Sequence, residues 1–443
     1  MPEETLTLVK GGSFLIQETS PEDVFTPEDF TEEHRMIAQT AQQFMENEVL
    51  PRIEEMENKK EGINEELLRK AAEIGLVSAA IPEQYGGAGL DQISTTIVSE
   101  KTGLYGSFAT TFGAHAGIGT LPIIYFGTEQ QKAKYLPRLA TAEWIAAYAL
   151  TEAESGSDAL AAKTTAVLSP DGKHYILNGT KMWITNAGFA QVFITFAKVD
   201  GEKFSCFIVE RNFPGVSTGA EEHKMGIRGS STRTLILENA EVPVENVLGE
   251  IGRGHLIAFN ILNFGRFKLG ASAVSGIKYV TNEAIRYARE RHQFGKAIIE
   301  FGAIQHKLAE MAVRIFCAES MVYRTVGMID TAMRSIDQSS PLATTEILKA
   351  IEEYAVECSI IKVANSEILD FIVDEAVQVC VHGTLPEVEN KAKQILAAVS
   401  EGDELRTQLA ALRRFTKNTP LNLISLRQVI AQKLKEEGKY FLS

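Results

Sequence analysis

The chain has 443 residues and a net charge of −14, which favours about two or three packed units and argues against a nucleic-acid partner. Its composition, 45% hydrophobic and 23% charged, is ordinary for a soluble globular protein. No segment approaches the roughly 20 apolar residues of a membrane span, so membrane contact is not expected.

The four cysteines lack C-x-x-C spacing, so they predict neither a disulfide framework nor a zinc site. The acidic N-terminal sequence "MPEETLTLVK" has no long apolar run and is unlike a secretory signal. These features predict a cytoplasmic protein without a bound metal.

Residues 1–26 contain proline and glycine without a sustained period, which predicts an N-terminal arm. From Thr31 the apolar residues Ile37, Ala41 and Phe44 fall on one helical face. Further segments with a helical period follow, including "INEELLRKAAEIG" and "GTEQQKAKYLPRLA". We therefore predict an N-terminal helical domain over residues 27–145.

The hydrophobic period changes near residue 146. The runs "HYILNGTKMWITNA", "QVFITFAKV", "FSCFIVE" and "TRTLILENAEV" are short and rich in β-branched and aromatic residues, as in antiparallel strands. They predict a middle antiparallel β-domain over residues 146–255. The helical period then returns, predicting a C-terminal helical bundle over 256–379 and a helical tail over 380–443. This order indicates an α+β fold.

Two short motifs lead to no assignment. "GEIGRG" has clustered glycines but follows no βαβ pattern, so a dinucleotide-binding fold is not indicated. His306 and Glu310 are four residues apart on a predicted helix, where a hydrogen bond or ion pair is the expected role rather than metal binding.

The stretch 147–188 has the chemistry to bind a flat cofactor that carries phosphate. It offers two aromatic rings, two hydroxyls for the edge of a heterocycle, and a glycine–serine turn for phosphate oxygens. These are Tyr148 and Trp183, Thr151 and Thr185, and Gly156 with Ser157. An ordinary β-domain with a packed tryptophan is the alternative interpretation.

Several motifs resemble the acyl-CoA dehydrogenase family over about residues 27–379: "YALTEAESGSDALAAKTTA…NGTKMWITN", "GIRGSSTRTLILENAEVPVENVLGEIGRGH" and "ARERHQFGKAIIEFGAIQHKLAEMA". "NILNFGRFKLGASAVSGIK" is similar to the very-long-chain branch. The resemblance implies helical, β and helical domains, FAD as cofactor, a homodimer or homotetramer, and an electron-transfer flavoprotein as acceptor. It also implies oxidation of the Cα–Cβ bond of a fatty acyl-CoA to a trans-2-enoyl-CoA.

The resemblance also implies roles for individual residues. Tyr148, Leu150 and Thr151 should lie along the pyrimidine side of the flavin, with Trp183 stacked beside the ring and Thr185 near N5. Gly156 and Ser157 should meet the phosphates, and Ser157 also the bound thioester. Arg291, Gln293 and Phe294, from "RHQF", should reach the adenine–pyrophosphate end of an FAD held mainly by a neighbouring subunit. Asn263 and Arg266 should border the acyl pocket.

The mechanism implied by the resemblance is concerted. A base removes the α-proton while the β-hydrogen leaves as hydride to flavin N5, and hydrogen bonds to the thioester carbonyl stabilise the developing enolate. The usual base is the glutamate of a Phe/Tyr-Glu-Gly-Thr motif.

That motif is missing from this sequence, where none of the Glu-Gly pairs is followed by threonine: Glu61-Gly62, Glu401-Gly402 and Glu437-Gly438. Some relatives place the base just before the arginine matched by Arg266, but Gly265 stands there. The tail resembles the far C-terminal segment of longer bacterial members, so an internal deletion near Val379-Cys380 is the simplest interpretation. A gene fusion or a defective reading of the gene would give the same pattern. The catalytic residue is unassigned.

Three functional hypotheses remain. A tail carboxylate, Glu387 or Glu389, replaces the base in an acyl-CoA dehydrogenase. Alternatively, the protein is a non-catalytic flavin- or acyl-CoA-binding or assembly protein, or a flavin monooxygenase on the same scaffold. A reactive pair of Cys380 and His382 is not favoured, because no motif flanks either residue.

Overall fold

The protein is described by a computed structural model over residues 9–20, 23–337, 340 and 342–380. Its first part is helical. The helices are α1 (Glu32–Phe44), α2 (Ile53–Glu57), α3 (Ile63–Glu73), α4 (Gln92–Thr102), α5 (Gly106–Phe112), α6 (Leu121–Phe126) and α7 (Glu129–Ala140), with a π-helical segment at Gly113–Gly119.

Helix α1 begins where its sequence predicts. Thr31 caps the helix by accepting a hydrogen bond from the backbone N–H of His34, and acidic residues occupy the first turn. Ala41 and Phe44 are buried on the predicted apolar face. The helices expected from "INEELLRKAAEIG" and "GTEQQKAKYLPRLA" are α3 and α7.

The middle part forms one sheet of eight strands within the described residues. The strands are β1 (Ala146–Ala149), β2 (Thr165–Leu168), β3 (His174–Thr185), β4 (Val192–Val199), β5 (Lys203–Glu210), β6 (Val216–Thr218), β7 (Thr232–Pro243) and β8 (Val247–Leu248). The main order is β6-β7-β3-β2-β4-β5-β8, and β1 pairs with β4.

The sheet is mixed rather than purely antiparallel. Most pairs are antiparallel, as predicted, but β1 and β2 both pair in parallel with β4. They do so one after the other: β1 pairs with Val192–Thr195 and β2 with Lys198–Val199. Because β5 pairs with the other side of β4, β1 and β2 share one side of it, and the chain between them forms a long loop.

The last described part is again helical, with α8 (Gly254–Glu290), α9 (Gly302–Arg334), α10 (Ala343–Glu353) and α11 (Ala355–Cys380). A short hairpin of β9 (His292–Gln293) and β10 (Lys296–Ala297) separates α8 from α9. The helical, sheet and helical order confirms the predicted α+β fold class. The tail from residue 381 lies outside the described residues, and the predicted domain boundaries remain predictions.

The chain divides into two compact units. The first comprises the described residues of Met1–Gly276 and Ala318–Ser366, and the second those of Ile277–Cys317 and Glu367–Ser443. Each unit therefore contains segments of α8, α9 and α11. No described helix is long and apolar enough to cross a membrane.

A buried histidine holds the start of β1. His115 is fully buried, its Nδ1 accepts a hydrogen bond from the Ala146 N–H at 3.0 Å, and its Nε2 lies 3.1 Å from the Leu139 carbonyl oxygen. Burial lowers the pKa of His115 to about 4. The neutral ring, protonated at Nε2, satisfies both contacts.

Acid should therefore weaken the fold through His115. The unfolded chain takes up this proton near pH 6.5 but the folded chain only near about pH 4. The free energy of unfolding should be highest above that window and fall as pH drops through it, by up to about 1.4 kcal/mol per pH unit from this group. Urea unfolding measured at about pH 7 and about pH 5 checks this.

His115→Gln is the matched variant, since glutamine keeps one acceptor and one donor but does not titrate. It should lose less stability than the wild type between the two pH values. An equal loss in both proteins would contradict the assignment.

Candidate functional site

The most prominent residue of the site is an exposed tryptophan on β3. Along this strand Leu177 and Lys181 are buried, so simple alternation would also place Trp183 inward. The register against β7 shifts between Lys181 and Ile184, and Trp183 has a φ of +58°. This β-bulge turns Ile184 inward and leaves Trp183 58% exposed.

A buried ion pair lies two residues before the tryptophan. Lys181 is 0% exposed, and its Nζ is 2.6 Å from Oε1 of Glu152, which is 5% exposed. The same ammonium donates to the carbonyl oxygen of Leu150 at 3.2 Å. An unpaired charge in such a place would be strongly unfavourable, so each residue requires the other.

Glu152 also joins the two ends of the loop between β1 and β2. Its carboxylate accepts hydrogen bonds from the Lys163 N–H at 2.6 Å and the Thr164 hydroxyl at 2.5 Å. Burial acts to raise the pKa of Glu152, but Lys181 and these donors outweigh it and hold the pKa below its usual range. Glu152 is thus an ionised centre that fixes the loop.

The loop segment after β1 is aligned beside the tryptophan. The Met182 N–H donates to the Thr151 carbonyl oxygen at 2.9 Å, next to the Leu150 contact with Lys181. The structure therefore brings together three residues predicted from the sequence, Leu150, Thr151 and Trp183. Leu150 and Thr151 are both half-buried.

The other predicted aromatic residue is placed differently. The ring of Tyr148 is 9% exposed, packs edge-on against Phe196 with centroids 5.3 Å apart, and its hydroxyl lies 3.5 Å from the Ala258 carbonyl oxygen. Tyr148 therefore connects β1 to α8. Of the two rings expected to form a wall, Trp183 is the exposed one.

The predicted phosphate turn follows a tight backbone bridge between Glu152 and Ser155. Gly156 and Ser157 are exposed, and a Cβ added at Gly156 would meet no atom within 4 Å. Ser155 is buried, and its hydroxyl donates to the Asp158 carbonyl oxygen at 2.8 Å. The turn thus has a fixed base and open space above it.

The remaining predicted residues of the first unit lie on β3 and α8. Thr185 is half-buried and pairs with Thr232 of β7. Arg266 donates to the side-chain oxygen of Asn263 at 2.5 Å, and Asn263 is 6% exposed. Asn263 and Arg266 therefore act as one hydrogen-bonded pair.

Arg291, Gln293 and Phe294 belong to the second unit. Phe294 and Gly295 form the two-residue turn of the β9–β10 hairpin, with φ of +52° and +83°. Such a turn favours asparagine or glycine at its first position, so phenylalanine is strained there. Phe294 is nevertheless 93% exposed, and Arg291 and Gln293 are exposed as well.

The remaining candidates from the sequence include one ion pair and several residues that the structure does not describe. Glu310 pairs with Arg314 at 3.2 Å, and the described residues contain no cluster of three or more His, Cys, Asp or Glu side chains that could hold a metal. Burial raises the pKa of the Cys380 thiol. His382, Glu387 and Glu389 lie outside the described residues.

Comparison with known proteins identifies the family. Models of the N-terminal, middle and C-terminal domains of acyl-CoA dehydrogenase match residues 31–143, 147–240 and 252–387. The crystal structure of an acyl-CoA dehydrogenase complexed with FAD from Bacillus anthracis is 41% identical, covers 98% of this chain and is itself covered completely, with a TM-score of 0.87. The chain belongs to the acyl-CoA dehydrogenase family.

Two of the curated relatives are longer than this chain, which therefore covers only part of each. A probable acyl-CoA dehydrogenase of Bacillus subtilis is 55% identical over 383 residues, which are 86% of this chain and 64% of the relative. The very long-chain specific acyl-CoA dehydrogenase of Rattus norvegicus is 38% identical over 72% of this chain and 48% of its own length. The chain thus spans about half to two thirds of these two relatives.

Inspection of the sequence did not assign roles to Lys181 and Glu152. Both lie inside motifs that resemble those of acyl-CoA dehydrogenases, yet each reads as a surface charge when taken alone. The position of Lys181 could have indicated its role. Side chains alternate along a strand, so Lys181 points to the same buried face of β3 as Leu177, and a lysine buried there needs a carboxylate partner.

Removing one partner of this pair should destabilise the protein strongly. Lys181→Met leaves the Glu152 carboxylate buried without its cation, so we expect the free energy of unfolding to fall by about 3–5 kcal/mol. Chemical denaturation measures the change. The double variant Glu152→Gln/Lys181→Met should lose less than the two single losses added together.

Lys203→Met is the matched control, since Lys203 pairs with Asp200 at 3.1 Å on the exposed surface. It should change stability little. Equal effects of Lys181→Met and Lys203→Met would show that the buried pair does not hold the loop.

Proposed function

We propose that this chain binds FAD and a fatty acyl-CoA, and that its function is the oxidation of the Cα–Cβ bond of a long-chain acyl-CoA in cytoplasmic fatty-acid β-oxidation. The observation that carries the proposal is the exposed Trp183 indole on β3, directly after Lys181 and Met182, which hydrogen-bond to Leu150 and Thr151. A flat aromatic face next to ordered backbone is the arrangement that a flat heterocycle requires.

The residues present fit FAD by two further observations. The space above Gly156 accommodates a group that a larger side chain would exclude, and the exposed Ser157 hydroxyl offers a donor to phosphate. In the second unit, the strained and exposed Phe294 supports the proposed contact of its hairpin with an FAD of a neighbouring subunit. The proposed assembly is therefore a homodimer or homotetramer.

When bound, FAD supplies the acceptor for the hydride from the β-carbon, and an electron-transfer flavoprotein is the proposed electron acceptor after it. The chain's own residues position the reactants. Trp183 shields one side of the ring, and the Asn263–Arg266 pair borders the acyl chain. The base that removes the α-proton is unassigned, with Glu387 and Glu389 as the proposed substitutes.

A second candidate function is a non-catalytic flavin- or acyl-CoA-binding or assembly protein. The observation that favours it is the absence of a Glu-Gly-Thr sequence anywhere in the chain. A general base contributes roughly 10²–10⁴-fold to rate, so a chain without one would bind both molecules and turn over very slowly.

An anaerobic titration separates the two functions. The purified protein should be yellow, and addition of palmitoyl-CoA should bleach its flavin absorbance if the chain is a dehydrogenase. A yellow protein that binds palmitoyl-CoA without bleaching would establish the binding function instead. A colourless protein that takes up no added FAD would contradict the dehydrogenase function and any flavin-binding function.

Flavin retention should depend on Trp183. Trp183→Ala removes the exposed aromatic face, and loss of one ring-stacking contact should lower FAD affinity by about tenfold or more. Equilibrium dialysis with FAD measures this. Trp144→Ala is the control, because Trp144 packs on Tyr135 and Arg138 rather than being exposed on β3. Equal FAD loss in both variants would contradict the assignment.

A further inference from the structure

Polar side chains line the contact between α4 and α8 in the first unit, and we call this row the polar seam. It consists of Gln92, Thr95, Thr96 and Ser99 on α4 and of Lys268 and Ser272 on α8. The seam is closed at one end. The Ser272 hydroxyl donates to the Ser99 carbonyl oxygen at 2.8 Å. A Cβ added at Gly103 would lie only 2.2 Å from the Ser272 carbonyl oxygen. The two helix backbones therefore touch here and leave no room for a ligand chain to pass.

The opposite end of the seam lies about two helical turns earlier on α8. A Cβ added at Gly265 would be 3.6 Å from the side chain of Ile118, and Phe264 stacks on Tyr125 with centroids 5.2 Å apart. Positions 265, 268 and 272 share one helical face. Lys268 is thus placed in the seam between the glycine and the closed end.

Lys268 has no partner there. Among the residues that the structure describes, it makes no hydrogen bond and no ion pair, and it is partly buried. Burial lowers the pKa of its ammonium group to about 8. Even a partly buried cation without an anion is costly, so its retention at this position needs an explanation.

The α4 side of the seam is polar as well. Gln92, Thr95, Thr96 and Ser99 share the α4 face that reaches Ser272, and the first three of them are buried. The Gln92 amide faces the Tyr125 hydroxyl, yet its Oε1 atom has no hydrogen-bond partner within the described chain. A ligand with an apolar end would leave the Gln92 Oε1 atom and the Lys268 ammonium group without hydrogen-bond partners.

We propose that the acyl site extends along α8 to Lys268 and selects acyl-CoA molecules whose chain ends in a carboxylate. Lysine offers only donors and a positive charge, so its partner is an anion. The closed end at Ser272 places this partner at the chain terminus. The inference rests on the proposed function, because binding of acyl-CoA beside Asn263 and Arg266 is itself proposed.

Equilibrium dissociation constants test the proposal without requiring turnover. The FAD-loaded protein is titrated anaerobically, by calorimetry, with hexanoyl- to tetradecanoyl-CoA and with the same chains carrying a terminal hydroxyl or a terminal carboxylate. At one or two adjacent lengths the carboxylate form should bind about tenfold tighter than the methyl form, because Lys268 lies at a fixed depth.

Lys268→Met should abolish this preference while the methyl-ended chains bind at least as tightly as before. Lys278→Met, the same substitution on the same helix, should keep the preference. If methyl-ended chains bind the wild type as tightly as carboxylate-ended ones at every length, or if the hydroxyl form binds tightest, the inference is wrong while the proposed acyl-CoA binding stands. If no acyl-CoA binds, the proposed function fails and this inference with it.

Discussion

The buried Glu152–Lys181 ion pair is the interaction on which the candidate site depends. Its carboxylate gathers Lys163 and Thr164 from the far end of the loop, and its ammonium holds Leu150 at the near end. One pair thus fixes a loop that would otherwise be free between two parallel neighbours of β4. Because both charges are shielded from water, the pair is favourable only in one geometry, and that geometry sets the position of residues 150 and 151.

The β-bulge lies on the same strand, directly after the lysine that this ion pair holds in place. Lys181 is anchored inward, and the register shift immediately after it turns Trp183 outward. Trp183 is a bulky residue with positive φ, so its backbone is strained. Such strain persists only where surrounding contacts hold the backbone in that conformation. A similar combination of strain and exposure recurs at Phe294 in the second unit, where no anchoring ion pair of this kind is seen among the described residues.

The sequence predicted those parts of the fold that follow from local periodicity. The apolar face of α1, the four main strands and the long helices from α8 onward were all visible as repeating patterns. Parallel pairing of β1 and β2 with β4 was not, because pairing partners distant along the chain leave no local signal. The outward turn of Trp183 was hidden for a related reason: a bulge breaks the alternation from which side-chain direction is predicted.

The candidate site was predictable as a set of residue types and not as a geometry. Motifs pointed to Leu150, Thr151 and Trp183, which the structure places together, whereas the Tyr148 ring packs edge-on against Phe196. Lys181 and Lys268 were missed because a lysine is assigned to the surface unless its burial is known. Burial is a property of tertiary packing, so charged residues inside a core are recognised only when the fold is in hand.

The affinity for FAD across a double-variant cycle at Glu152 and Lys181 tests the central role of this pair most directly. Dissociation constants would be measured by flavin fluorescence for the folded forms of the wild type, Glu152→Gln, Lys181→Met and the double variant. If the pair positions the flavin-binding edge, each single substitution lowers the affinity more than tenfold (about 1.4 kcal/mol), and the double variant loses far less than the product of the two. Folded single variants that bind FAD as tightly as the wild type would contradict the account.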